Sequence, residues 1–157
     1  MPPTTDPFAP RITARIAGRA LHPLFYPFVF GYFAAVCGCD VVYSQASIFV
    51  QESSPEFAAI TEWLLVAGLI MAAATAMVAL IDYLGDRRFR ALPDAALYGF
   101  GTLLVGAIEL HNLNIRLSDG GAAIAPCGLI LSLSAMAVLL AMPSQSWSEL
   151  YRSASRR

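Results

Sequence analysis

Between residues 21 and 142 the chain carries four apolar runs, each near the roughly 20 residues that an α-helix needs to cross a hydrocarbon core. They cover 21–43, 59–84, 93–115 and 122–142. Inside a bilayer no water satisfies backbone N–H and C=O groups, so such runs must form their hydrogen bonds within each segment. The expected fold is therefore all-α, an integral membrane four-helix bundle over residues 21–143. The second and fourth runs contain "WLLVAGLIMAAATAMVALI" and "AAIAPCGLILSLSAMAVLLAM", which hold no charged residue. The connections are too short for a soluble domain, and no period of 20 to 50 residues repeats.

Composition agrees with lipid as the solvent. Of 157 residues, 57% are hydrophobic and 13% charged, with a mean hydropathy of +0.62. Net charge is −1 and no lysine occurs, which argues against nucleic acid as a partner. Residues 1–20 carry Arg11, Arg15 and Arg19 among prolines and threonines, without the apolar run and small-residue cleavage site of a signal peptide. The spacing of these arginines beside Ile12 and Ile16 fits a short helix on anionic headgroups, and equally a flexible topogenic tail.

Arginine placement sets the expected orientation, because short cytoplasmic segments retain Arg. Three arginines precede the first run. Arg87, Arg88 and Arg90 lie between the second and third, and Arg152, Arg156 and Arg157 follow the fourth. Only Arg116 falls on the opposite side, with Glu52, Glu56 and Asp119. Both termini are expected in the cytoplasm, residues 144–157 as a tail.

Small residues four apart mark close helix contacts in lipid. Gly31, Ala35 and Cys39 form such a stripe on the first run, Gly68, Ala72 and Ala76 on the second, and Thr102 with Gly106 on the third.

At about 1.5 Å per residue, position along a span gives depth, and the polar residues sort into two belts. The outer belt gathers Cys37, Cys39, Asp40, Tyr43, Glu62, Glu109, His111, Asn112 and Arg116, with Cys127 from the fourth run. The inner belt gathers His22, Tyr26, Asp82, Asp94, Tyr98 and the arginine loop. His22 opens its run, whereas His111 lies about 18 residues into a parallel one, a depth difference of roughly 25 Å. Axial ligands to one iron lie only about 4 Å apart, so a single haem cannot take both histidines.

On a helical wheel Glu109, Asn112 and Arg116 share a face, while His111 and Asn114 point elsewhere. Arg116 leans back towards Glu109. Charge at membrane depth must meet protein or water. Two readings follow: a structural network tying the third run to Asp40, Tyr43 or Glu62, or a site for a metal, haem edge, quinone headgroup or proton. "CGC" at 37–39 reads as packing before copper or a redox disulfide, since alternate positions diverge on a helix. The odd cysteine count argues against a disulfide framework. His22 before Pro23 reads as a capping or interfacial residue or as a ligand. No nucleophile elbow, phosphate loop, HExxH or paired CxxC occurs.

The stretches "LHPLFYPFVFGYFAAVCGCDVVY" and "WLLVAGLIMAAATAMVALIDY" resemble the bacterial membrane proteins of the domain-of-unknown-function 2231 family. In that family the first helix opens with His-Pro and ends in Asp with Tyr soon after, matched by His22, Pro23, Pro27, Gly31, Asp40 and Tyr43. The second helix matches at Gly68 and Asp82. Relatives often begin the third helix with a histidine followed four residues later by asparagine. Here "PDAALYGFGT" puts Asp94 or Tyr98 there, so any cofactor pair with His22 is not preserved. The resemblance implies a bacterial inner (cytoplasmic) membrane setting and Rieske-type or dehydrogenase partners.

The resulting expectation is a small integral membrane subunit or anchor of a redox or electron-transfer complex, non-catalytic, in an oligomer or larger assembly, contacting haem b or quinone. Cofactor-binding candidates are His22, His111 and Tyr98. Asp40, Tyr43, Glu62, Asp82, Glu109, Asn112 and Arg116 form a polar network or a ligand or proton site. The alternatives are a proton- or metal-conducting transporter or channel subunit and a purely structural membrane protein.

Overall fold

The structure is a computed structural model that describes residues 14–16, 19–49, 55–85, 87–90 and 93–142. Its helices are α1 (His22–Phe49), α2 (Pro55–Gly85), a single turn α3 (Arg87–Arg90), α4 (Pro93–Asp119) and α5 (Leu129–Ala141). A 3-10 turn (Gly120–Ala123) and a π turn (Ile124–Gly128) join α4 to α5. A two-residue antiparallel pairing of β1 (Arg15–Ile16) with β2 (Arg19–Ala20) precedes α1.

Three helical stretches among the described residues are long and apolar enough to cross a membrane: His22–Gln45, Glu56–Gly85 and Leu97–Ala141. The expected count of four is not supported, because helical turns link 93–115 to 122–142 in one stretch. The glycine pair at 120–121 reads in sequence as a loop, yet turns of helical hydrogen bonding run through it to Gly128. The third stretch nevertheless folds back on itself. Gly120 takes a left-handed φ of 60°, and Ala125 an extended φ of −124° with ψ 127°. Beyond them Gly128 packs beside Arg116 and Asn112, Asn112 bonds Ser132, and Met142 reaches Gly101. Partners advance along α5 as they recede along α4, so the two lie antiparallel.

Each of α1 and α4 packs against both α2 and α5. Between them lies a core of Phe33, Val36, Leu65, Val105 and Ala135, all at most 2% exposed. The outside is equally apolar: Trp63 is 75% exposed, Leu103 72% and Leu140 69%. A surface this greasy over whole helices is stable only against lipid or other apolar surface.

The expected contact stripes hold only in part. Gly68 is a close approach, since a Cβ there would stand 2.8 Å from the Phe33 ring. Gly31 and Gly106 meet nothing within 4 Å, and Ala35 is exposed. Gly101, outside any stripe, gives another close approach, to Met142 Sδ.

Before α1 the chain is tied down at both ends of its pairing. Leu21 N–H donates to the Ala14 carbonyl at 3.2 Å, and Ala14 N–H donates to Asp82 Oδ1 at 2.8 Å. The short surface helix considered for residues 11–19 is therefore not formed at 15–16 and 19, where the backbone is extended. Arg11 and the tail 144–157 lie outside the described residues.

Candidate functional site

The polar side chains separate into two clusters, one at each end of the helices. At the first, His22 Nε2 and the Tyr98 hydroxyl share a hydrogen bond of 3.0 Å. Tyr26 stacks on the His22 ring at a centroid distance of 6.2 Å. Tyr98 meets that ring edge-on at 5.3 Å. Asp82, fully buried, holds the Ala14 N–H at the same end of α2. The side chain of Asp94 lies outside the described residues, and Arg90 is exposed, with Nη1 3.4 Å from the Leu84 carbonyl.

The second cluster lies about 18 residues further along α1 and α4, roughly 27 Å away. Arg116 Nη2 donates to Asp40 Oδ2 at 2.6 Å, with both side chains at most 2% exposed. Arg116 Nη1 donates to Thr61 Oγ1 at 3.1 Å, and Nε to Asn112 Oδ1 at 2.9 Å. Asn112 Nδ2 donates to Glu109 Oε2 at 2.9 Å and to Ser132 Oγ at 3.0 Å. Ser132 Oγ in turn donates to Asp40 Oδ2 at 2.6 Å. One network thus joins α1, α2, α4 and α5. Asn112 is fixed within it, since rotating its amide would aim NH₂ at the guanidinium and the carbonyl at Glu109.

Two buried oxygens of this cluster, Asp40 Oδ1 and Glu109 Oε1, have no hydrogen-bond partner among the described residues. Thr61 has its one donor engaged, because its hydroxyl also donates to the Ala58 carbonyl at 2.8 Å. Arg116 uses three of its five N–H donors. The guanidinium also borders a cavity of about 420 Å³ whose polar wall is Arg116, Tyr43 and Glu62 and whose rim includes Gly120 and Gly121. Tyr43 is buried, its hydroxyl against Gly121.

The network thus brings together Asp40, Glu109, Asn112 and Arg116, with Tyr43 and Glu62 on the adjoining cavity. Asn112, rather than Arg116 directly, bonds Glu109. His111 is on the exposed side of α4, as is Cys127 of the π turn; Cys37 and Cys39 are free thiols. Thr61 and Ser132 belong to the network although nothing in the residue pattern singles them out. Hydroxyl residues are common inside membrane spans, and only the position of Ser132 opposite Asn112 reveals its role.

Between the clusters buried polar side chains are few among the described residues. Thr75 and Thr102 donate to the carbonyls of Met71 and Tyr98 on their own helices, at 2.7 and 2.9 Å. The layer of Phe33, Val36, Leu65, Val105 and Ala135 is otherwise apolar. Among the described residues no group of three His, Cys, Asp or Glu side chains is placed to hold a metal ion. A haem does not fit either cluster as built: His22 Nε2 is engaged by Tyr98, and His111 faces outward.

Neither a curated protein nor a solved structure matches the chain. The family described as predicted membrane protein (DUF2231) matches residues 18–147, most of the chain, and the protein belongs to that family.

Proposed function

We propose that the protein is a non-catalytic subunit of a bacterial inner-membrane redox assembly, and that its cavity beside Arg116 receives the headgroup of a membrane quinone. In this reading α1, α2, α4 and α5 are four passes, with the His22 end and both termini on the cytoplasmic side. The arginine distribution supports that orientation. The observation that carries the functional reading is the cavity wall, which has donors at Arg116 and Tyr43 and an acceptor at Glu62. A quinone carbonyl accepts from the first two, and a quinol hydroxyl donates to the third, so one wall serves both forms. A cavity of about 420 Å³ lies within the range typical of small-molecule sites.

The test is direct binding. A short-chain quinone titrated into the detergent-purified protein is expected to bind with an affinity that Tyr43→Phe weakens about tenfold, and the matching quinol with an affinity that Glu62→Ala weakens about tenfold, in each case the effect of losing one hydrogen bond of about 1.4 kcal/mol. Affinity purification from native membranes is expected to bring down a dehydrogenase or Rieske-type partner. Wild-type protein that binds no quinone and purifies alone overturns the proposal. Conduction finds less support, because among the described residues the core layer between the clusters is apolar and the Thr75 and Thr102 hydroxyls beside it are engaged on their own helices.

A further inference from the structure

We infer that Glu109 is a buried proton-binding site, a neutral carboxyl at neutral pH beside the paired Asp40 and Arg116. The buried cluster holds two carboxyl groups and one guanidinium. The surroundings of the two acids decide between them. Each acid has one oxygen without a partner, but Asp40 Oδ2 accepts two short bonds, 2.6 Å from the cationic Arg116 and 2.6 Å from Ser132. Glu109 Oε2 accepts a single neutral amide donor at 2.9 Å, and Oε1 accepts none. Both side chains are fully buried. A carboxylate removed from water needs a cation or several donors, and Glu109 has neither in direct contact. One proton on Glu109 makes the cluster neutral and leaves the Asp40–Arg116 pair intact.

The groups around Glu109 come from every neighbouring element. Cys37 and Asp40 face it from α1, and Arg116 and Asn112 share its helix. From α2, Thr61 bonds Arg116 and Glu62 stands on the cavity beyond. From α5 comes only the Ser132 hydroxyl. Arg116 is the one cation in this set, and Asp40 already occupies it. The inference uses no ligand in the cavity and stands apart from the quinone reading.

Infrared spectroscopy of the purified protein in lipid reads the site directly. At neutral pH the wild type is expected to show the C=O stretch of a neutral carboxylic acid, shifted in D₂O and shifted again when glutamate is supplied with a ¹³C carboxyl. Glu109→Gln is expected to remove the band, and Glu62→Gln to leave it. If Glu109→Gln fails to fold, the isotope experiment on the wild type decides, because among the described residues Glu109 is the glutamate that is fully buried. No such band, a band that moves with labelled aspartate instead, or a band that survives Glu109→Gln overturns the inference.

Discussion

Asp40 meets Arg116 across an offset of 76 residues, the same offset that joins His22 to Tyr98. A constant offset over about 18 residues means that α1 and α4 run in the same direction and in register for roughly 27 Å, close to the thickness of a hydrocarbon core. The two contacts pin opposite ends of one helix pair, and each invites its own test.

The first concerns the buried ion pair. Arg116→Met leaves Asp40 charged and unpaired at zero exposure, a change worth about 3–5 kcal/mol of stability. Asp40→Asn strands the guanidinium in the same way. The double variant is expected to lose less than the two single losses combined, as measured by unfolding in mixed detergent micelles. Strict additivity would show that the pair is not formed.

At the other end, Tyr98→Phe removes the hydroxyl that bonds His22 and is expected to cost about 1 kcal/mol. Combined with Ser132→Ala, its effect is expected to add within about 0.5 kcal/mol, because distant sites without shared partners behave independently. A larger coupling energy in the same unfolding assay would mean that the apolar layer transmits strain between the clusters.

Packing between α1 and α2 rests on the missing side chain at residue 68. Gly68→Val drives a branched side chain into Phe33 and is expected to destabilise by about 1–3 kcal/mol. Gly31→Val, with nothing within 4 Å, is expected to cost less than half as much. Equal losses in thermal unfolding would place the helix contact on the Gly31 face instead.

Orientation is open to chemical labelling. In a variant lacking Cys37, Cys39 and Cys127, a cysteine at exposed Ser118 is expected to react with a membrane-impermeant maleimide added outside spheroplasts. A cysteine at exposed Arg90 is expected to react only after lysis. The reverse pattern would invert the topology, and labelling of both from outside would break the four-pass reading.

The membrane class was legible because lipid imposes helix length and apolar composition together. The face shared by Glu109, Asn112 and Arg116 was legible as well, since helical period alone brings residues three, four and seven apart to one side. Which neighbours met that face was not. Asp40, Thr61 and Ser132 reach it from three other helices, and their registers depend on packing at Gly68 and Gly101 that no single segment encodes. The Gly31 stripe misled for the same reason: small residues permit close approach but do not compel it. The junction of α4 and α5 was legible in part: the paired glycines mark the reversal of the chain, but not the 3-10 and π turns that carry it.

That junction also determines where the protein tolerates change. From Gly120 to Gly128 the backbone is held by its own turns and lies over the guanidinium of Arg116. An epitope tag or protease site grafted there would have to dissolve helical hydrogen bonds and uncover a buried charge. The hairpin that reverses the chain is thus also the roof of its polar cluster, and an insertion into one breaches the other.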